Sequence, residues 1–254
     1  MIPKTIHYCW FGRNQKPELA EKCIKSWKIY CPDYEVIEWN EDNFDLNSAP
    51  LYVQQAYEAK KWAFVTDYVR LWAMVEFGGI YMDTDVEVIK PLDRFLKHKA
   101  FAGFEDNRHI QTAIMACEKS YPFFEKLLRI YDGKTFFNPD GSMDLTTNVS
   151  TITEMCLKNG LKQNGEHQII QGFALYPKDF FCPLSFSTGW LRKTKNTVTV
   201  HWFAGSWHDQ EQKQYFLEQV KAERTDYIRH LPNRMLRKVL GYECYERLKK
   251  RLKK

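Results

Sequence analysis

From Trp62 to Val75 the chain reads Trp-Ala-Phe-Val-Thr-Asp-Tyr-Val-Arg-Leu-Trp-Ala-Met-Val, with Asp67 and Arg70 as its only charges. A stretch apolar on nearly every face predicts a helix over 62–77 that is buried on most sides, and Gly78-Gly79 stops it. Ile80-Tyr81-Met82 follows at once as a strand, closed by Asp83-Thr84-Asp85. A buried helix that turns directly into a buried strand requires a layered molecule in which helices cover a sheet. Asp67 and Arg70 stand at i and i+3, so they share a face and can pair. Burying such a pair costs several kcal/mol per ion before attraction offsets it. Two readings stay open: a salt bridge locking this helix to a neighbour, or two polar groups lining a ligand pocket.

The flanking segments alternate. Thr5–Phe11 reads as a strand ended by Gly12-Arg13-Asn14, Glu18–Tyr30 as a helix behind Pro17, and Tyr34–Trp39 as a strand ended by Asn40-Glu41-Asp42. Beyond Asp85, Val86–Ile89, Ala100–Phe104 and Thr112–Ala116 read as short strands, Pro122–Tyr131 and Thr147–Lys158 as helices, and Phe136–Met143 as a loop. Gln168–Tyr176 and Thr197–Trp202 are strand-like, and Gln210–His230 is helical. This order predicts the α/β class, with a mostly parallel central sheet flanked by helices. With 254 residues and no repeat or linker, the simplest division is one domain over 1–230 and a tail over 231–254.

Composition narrows the class. An apolar fraction of 44% with only 12 Gly and 10 Pro excludes disordered and collagen-like chains. Cysteines at 9, 23, 31, 117, 156, 182 and 244 form no CxxC pair, which predicts reduced, buried thiols. No run approaches the roughly 18–20 apolar residues of a membrane span, and the opening Met1-Ile2-Pro3-Lys4-Thr5-Ile6-His7 lacks a secretory pattern. A cytoplasmic protein is the expectation. Of the net charge of +5, residues 231–254 supply nine Lys/Arg against Glu243 and Glu246, so the remainder is slightly acidic. A near-neutral body argues against nucleic-acid binding. In the tail, Leu236, Val239, Leu240, Tyr245, Leu248 and Leu252 recur at roughly helical spacing among the cations. Such a basic amphipathic helix either lies peripherally on the anionic inner face of the cell membrane or packs, solvated, on the body.

In an extended strand, side chains at i and i+2 point the same way, so Asp83 and Asp85 are expected to present two carboxylates together. Oxygen ligands of this kind suit Mg²⁺ or Mn²⁺. Asp-x-Asp alone is common in solvated turns; directly after a buried helix with its own ionic pair, it points to a site. The block Ala63-Phe64-Val65-Thr66-Asp67-Tyr68-Val69-Arg70, then Gly78-Gly79-Ile80-Tyr81-Met82-Asp83-Thr84-Asp85, resembles the sugar-nucleotide signature of glycosyltransferase family 32. That family has the DXD sugar-binding region and is distantly similar to the large clostridial glucosylating toxins. The opening Ile2–Trp10 and the late His201-Trp202-Phe203-Ala204-Gly205-Ser206-Trp207 match its pattern in the same order.

The resemblance implies a GT-A fold, a Rossmann-like sheet binding a nucleotide-sugar at its strand ends. It also implies a retaining transfer of a hexose, by family habit from a UDP-sugar, to a glycan or lipid-linked glycan of surface polysaccharide assembly. Tyr8, Trp10 and Asn40 would contact base and ribose, while Asp67 and Arg70 would bind donor-sugar hydroxyls and ribose. Tyr81 would line the same pocket. Asp83 would meet sugar, ribose and metal, with Asp85 a direct metal ligand and His201 the third. The Mn²⁺ or Mg²⁺ so held would take up charge on the departing diphosphate, and Arg70, Asp83 and Asp85 would form the catalytic group. Gln111 stands where an Asn is more usual and would approach the transferred sugar. Ser206 and Trp207 would sit on a loop over the diphosphate.

Two rival readings exist. Asp83-Thr84-Asp85-Val86 after an apolar strand also fits a haloacid-dehalogenase-type phosphatase, with Asp83 as nucleophile and Asp140 and Asp144 as the later acidic pair. The 8 Trp, 14 Tyr and 17 Phe would also suit a non-catalytic carbohydrate-binding module, although such a module does not need the Asp pair.

Overall fold

The computed structural model describes residues 1–205 and 210–231. Its elements are β1 (Thr5–Cys9), α1 (Glu18–Tyr30), β2 (Glu35–Trp39), α2 (Leu51–Glu58), α3 (Trp62–Phe77), β3 (Gly79–Met82), β4 (Val86–Val88), β5 (Ala100–Phe104) and β6 (Ile110–Cys117). They continue with α4 (Pro122–Leu128), α5 (Asn148–Lys158), β7 (Gln168–Ile170), β8 (Phe173–Tyr176), α6 (Lys178–Phe181), β9 (Thr199–His201) and α7 (Gln210–Arg229). Residues 1–184 with 192–205 form one unit, and residues 185–191 with α7 belong to a second. Residues 232–254 of the expected basic tail lie outside the described residues, as does Cys244. The six described cysteines are free and buried, as expected.

The central sheet has seven strands in the order β2-β1-β3-β6-β5-β8-β7. β2, β1 and β3 run parallel; β6 is antiparallel to both β3 and β5; β8 is parallel to β5, and β7 antiparallel to β8. Five strands thus share one direction, and β6 and β7 are reversed. The α/β class and mostly parallel sheet are as the alternation predicts. From β1 the chain moves outward through α1 to β2, then returns through α2 and α3 to β3 on the other side of β1. Strand order therefore reverses between β1 and β3. Sheets of this kind open a ligand crevice at the carboxyl ends of the strands at such a point.

The helices divide between two faces. Val65, Val69 and Met74 of α3 pack in one core with Tyr52, Phe124, Ile152 and the sheet residues Tyr81 and Met115. Trp27 of α1 packs in a second core with Ile6, Ile80, Met82, Ile114 and the β4 residues Val86 and Val88. Neighbours Ile80, Tyr81 and Met82 fall alternately into the two cores, as the period-two geometry of a strand requires.

The junction between α3 and β3 depends on its glycines. Gly78 (φ 69°) ends the helix, its N–H donating to the Met74 carbonyl at 2.9 Å. Gly79 has φ 106°, and a Cβ there would lie 2.7 Å from the Thr5 carbonyl oxygen. Positive φ and close backbone approach both exclude a side chain.

Three expectations change. The run 168–176 is a hairpin of two strands, because Gln171 (φ 51°) and Gly172 (φ 91°) turn the chain. The helix predicted over 122–131 closes as α4 at Leu128 and continues as a 3₁₀ turn over Arg129–Tyr131. α2 was not expected at all; Pro50 precedes it, and it buries Tyr52, Val53 and Ala56.

Candidate active site

At the end of β3 the chain turns rather than extends. The Asp83 N–H donates to the Ala113 carbonyl at 2.8 Å, and the Val86 N–H donates back to the Asp83 carbonyl at 3.0 Å. The expectation that a pleated strand aligns Asp83 with Asp85 is therefore corrected: the strand ends at Met82, and a tight turn brings the carboxylates together. β4 leaves this turn and pairs antiparallel with β9, setting Val86 opposite His201. That register delivers the imidazole, with Nε2 at 3.4 Å from Asp85 Oδ1. The Ala204 N–H donates to Asp85 Oδ2 at 2.8 Å, and the Trp202 N–H to the Asp85 carbonyl at 3.0 Å. One ligand atom from each of Asp83, Asp85 and His201 lies within 4.8 Å of the others. Two carboxylates and an imidazole nitrogen at that separation fit a divalent metal ion.

Arg70 is the counter-ion behind this cluster. It is 6% exposed, and its Nη2 lies 3.3 Å from both Asp67 Oδ1 and Asp83 Oδ1. Its Nη1 donates to the Thr112 carbonyl at 3.1 Å, and its guanidinium stands 4.7 Å over the Tyr81 ring. The Tyr81 hydroxyl donates to Asp83 Oδ1 at 2.8 Å. Asp67 Oδ2 accepts the N–H of Asn148, the first residue of α5, at 3.1 Å, and Asn148 Nδ2 donates to the Asp67 carbonyl at 2.6 Å. The buried pair thus meets the first sequence reading, tying α3 to α5 and β6, and Arg70 also reaches Asp83.

Burial pushes the carboxyls of Asp67 and Asp83 above the usual carboxylate range, against the opposing pull of Arg70. Burial acts the same way on Asp85, but His201 and the Ala204 N–H outweigh it and hold Asp85 low. For His201, burial favours the neutral ring, yet adjacent Asp85 raises its pKa well above the ordinary value.

Toward the carboxyl ends of β1 and β2, parallel pairing sets Tyr8 beside Glu38. The Tyr8 hydroxyl donates to Glu38 Oε2 at 2.5 Å, Lys16 Nζ lies 2.7 Å from the same oxygen, and Asn40 Nδ2 donates to Oε1 at 3.1 Å. Trp10 Nε1 donates to the Asn14 carbonyl at 2.6 Å, and Lys16 Nζ stands 5.8 Å from the Trp10 ring. Tyr8, Trp10 and Asn40 are thus gathered around Glu38 and Lys16, two residues the sequence reading passed over. Asn148 was missed as well; its position opening a helix was the available signal.

Gln111 is fully buried beside Gly103, where a Cβ would lie 2.9 Å from its Nε2, and neither amide atom has a hydrogen-bond partner among the described residues. Contact with a sugar would require the surrounding chain to open. Ser206 and Trp207 lie outside the described residues. The phosphatase pair is committed elsewhere, Asp140 to Ser142 and Asp144 to Lys134 in the loop before α5.

Residues 17–102 match the family model for the glycosyltransferase sugar-binding region containing the DXD motif. The matched stretch holds α3, the glycine pair and Asp83-Thr84-Asp85, and bears out the resemblance there; the opening and late motifs fall outside it. Inositol phosphoceramide mannosyltransferase 3 of Schizosaccharomyces pombe is 30% identical over 132 residues, covering 50% of this chain and 36% of that protein. Mannosyl phosphorylinositol ceramide synthase CSH1 of Saccharomyces cerevisiae is 28% identical over 136 residues, covering 51% of this chain and 35% of that protein. The chain therefore spans little more than a third of the length of either relative. Among solved structures, PaToxG Glycosyltransferase aligns at 17% identity and a TM-score of 0.48, over 62% of this chain and 69% of that one.

Proposed function

We propose, from the sugar-binding region of DXD glycosyltransferases that residues 17–102 carry, that this chain moves a hexose from a nucleotide-sugar to a hydroxyl of a glycan or lipid-linked glycan. The observation behind this reading is the convergence of Asp83, Asp85 and His201 where β3 ends, with Arg70 and Asp67 beside them. Those three side chains would hold Mn²⁺ or Mg²⁺, which acts as a Lewis acid toward a diphosphate leaving group when bound. Arg70 and Tyr81 both act on Asp83 Oδ1 and fix that carboxylate before any ligand arrives. Tyr8, Trp10 and Asn40, with Glu38 and Lys16, offer the stacking surface and polar groups for the nucleoside end. Asp67 and Arg70 serve the sugar hydroxyls, and Ser206 and Trp207 the diphosphate.

Transfer proceeds with retention by front-side displacement. The acceptor oxygen bonds to the anomeric carbon as the bond from that carbon to the phosphate oxygen breaks, and the hydroxyl proton passes to the departing phosphate. No carboxylate nucleophile is required. The curated relatives are named for mannosyl transfer to inositol phosphoceramide, which supports a lipid-borne acceptor. The cations of residues 231–254 suit the anionic inner face of a membrane, where surface polysaccharide is assembled on lipid carriers.

A thermal-shift screen of UDP-hexoses and GDP-mannose with Mn²⁺ tests the reading. One donor is expected to stabilise the wild type, and Asp85→Asn to abolish that shift and lower turnover by about 10²-fold or more. Sugar-phosphate hydrolysis without nucleotide-sugar binding would establish the phosphatase instead. Glycan binding indifferent to chelator would establish the binding module.

A further inference from the structure

The carboxylate of Asp67 is held from outside its own helix as well as within it. Its Oδ1 lies 3.3 Å from Arg70 Nη2 on α3, and its Oδ2 accepts the Asn148 N–H at 3.1 Å. That N–H opens α5, where the first turn of a helix offers it no internal acceptor. The Asn148 side chain is buried and donates from Nδ2 to the Asp67 carbonyl at 2.6 Å. A carbonyl only accepts, so this contact decides which way the amide faces, and Asn148 Oδ1 is left to accept from the Tyr131 hydroxyl at 2.9 Å. Tyr131 is buried in the 3₁₀ turn after α4, its ring edge-on to Tyr52 and Tyr68 at centroid distances of 5.1 and 5.3 Å. Burial and the charge of Asp67 keep this phenol protonated, as donation requires.

A carboxylate oxygen can accept two hydrogen bonds, so one partner on each leaves Asp67 with acceptor sites of fixed direction. A group already held in one geometry loses less freedom when a ligand bonds to it. We infer that Asn148 is a positioning residue for Asp67, oriented in turn by Tyr131, and that the docking of α5 thereby sets affinity for the sugar of the donor and not for its nucleotide. The hydrogen bonds of the Asn148 side chain go to Asp67 and Tyr131, whereas the nucleoside end is assigned to the group around Tyr8 and Asn40. The inference rests on the reading above that Asp67 serves the sugar hydroxyls.

The test is isothermal titration calorimetry on the full chain with Mn²⁺, comparing UDP-glucose with UDP and GDP-mannose with GDP. For the pair that the wild type binds, Asn148→Ala is expected to weaken the nucleotide-sugar about tenfold and the bare nucleotide less than twofold. Tyr131→Phe removes only the hydroxyl and keeps the ring packing; a sugar-selective loss of about threefold is expected. In an Asp67→Asn background, Asn148→Ala is expected to cause no further selective loss. Wild-type affinity for the nucleotide-sugar in Asn148→Ala would overturn the inference. So would equal losses for nucleotide and nucleotide-sugar in either variant, which would mark a purely structural role, or a selective loss that persists without Asp67. The functional reading itself fails in a different way: the wild type binds neither nucleotide-sugar, or Asp67→Asn binds one as tightly as the wild type, and the inference then falls with it.

Discussion

His7 occupies the interior of β1, where an apolar side chain is the rule, and solvent does not reach it. Its Nε2 lies 2.8 Å from the Gly78 carbonyl, and Trp39 Nε1 donates to its Nδ1 at 3.2 Å. Only a neutral ring with its proton on Nε2 satisfies both contacts. Burial lowers its pKa against the opposing pull of that carbonyl. The unfolded chain then takes up a proton near the ordinary value of about 6.5 while the folded chain resists it. The stability His7 contributes is therefore present above that value and lost as pH falls toward the lower folded pKa. The melting advantage of the wild type over His7→Gln is expected to shrink between about pH 7.5 and 5.5, as followed by calorimetry. A constant difference would contradict this assignment. At this scale Asp67, Arg70, Asp83 and Asp85 were legible because unusual charges in an apolar stretch stand out locally. Glu38, Lys16 and Asn148 were not, because only strand register and helix docking bring them to their partners.

The α3–β3 junction carries the element-scale prediction. Gly79→Ala forces a side chain into φ 106° and against the Thr5 carbonyl, and is expected to cost about 2 kcal/mol or more. Gly160→Ala meets nothing within 4 Å at φ 95° and is expected to cost only the backbone term of about 1 kcal/mol for a side chain at positive φ. Denaturant midpoints would measure both, and only the first should also weaken nucleotide-sugar binding, because β3 leads into Asp83. Equal losses would show that close approach to β1 does not matter. The bounds of α1, α3 and β5 were readable because periodicity and the flanking Pro and Gly are local signals. The hairpin at 168–176 was hidden, since Gln171 gives no warning of positive φ. The turn at Asp83–Val86 was hidden as well, because Asp-Thr-Asp-Val is equally compatible with a strand. α2, only eight residues long, is too short for its pattern to stand clear.

At the scale of the whole chain, the parallel half of the sheet followed from alternation of strand and helix, whereas the reversal of β6 and β7 is set by pairings between distant segments. Charge segregation was legible from counting alone and carries its own prediction. The full chain is expected to pellet with anionic vesicles, and a chain ending at residue 230 to remain in the supernatant. The difference should fade as added salt shortens electrostatic reach below about 10 Å; equal pelleting of both would refute a role for the tail. The short β4–β9 ladder has a developmental corollary. It works as a clasp whose halves leave the ribosome far apart in time, so a nascent polypeptide arrested before Thr199 lacks the histidine that completes the triad. Between the two halves, exposed loops such as residues 138–142 can be rewritten over generations in length and surface, whereas β6 and the start of α5 cannot, since they hold Arg70, Asp83 and Asp67. The donor site proposed above can then persist while those loops diverge.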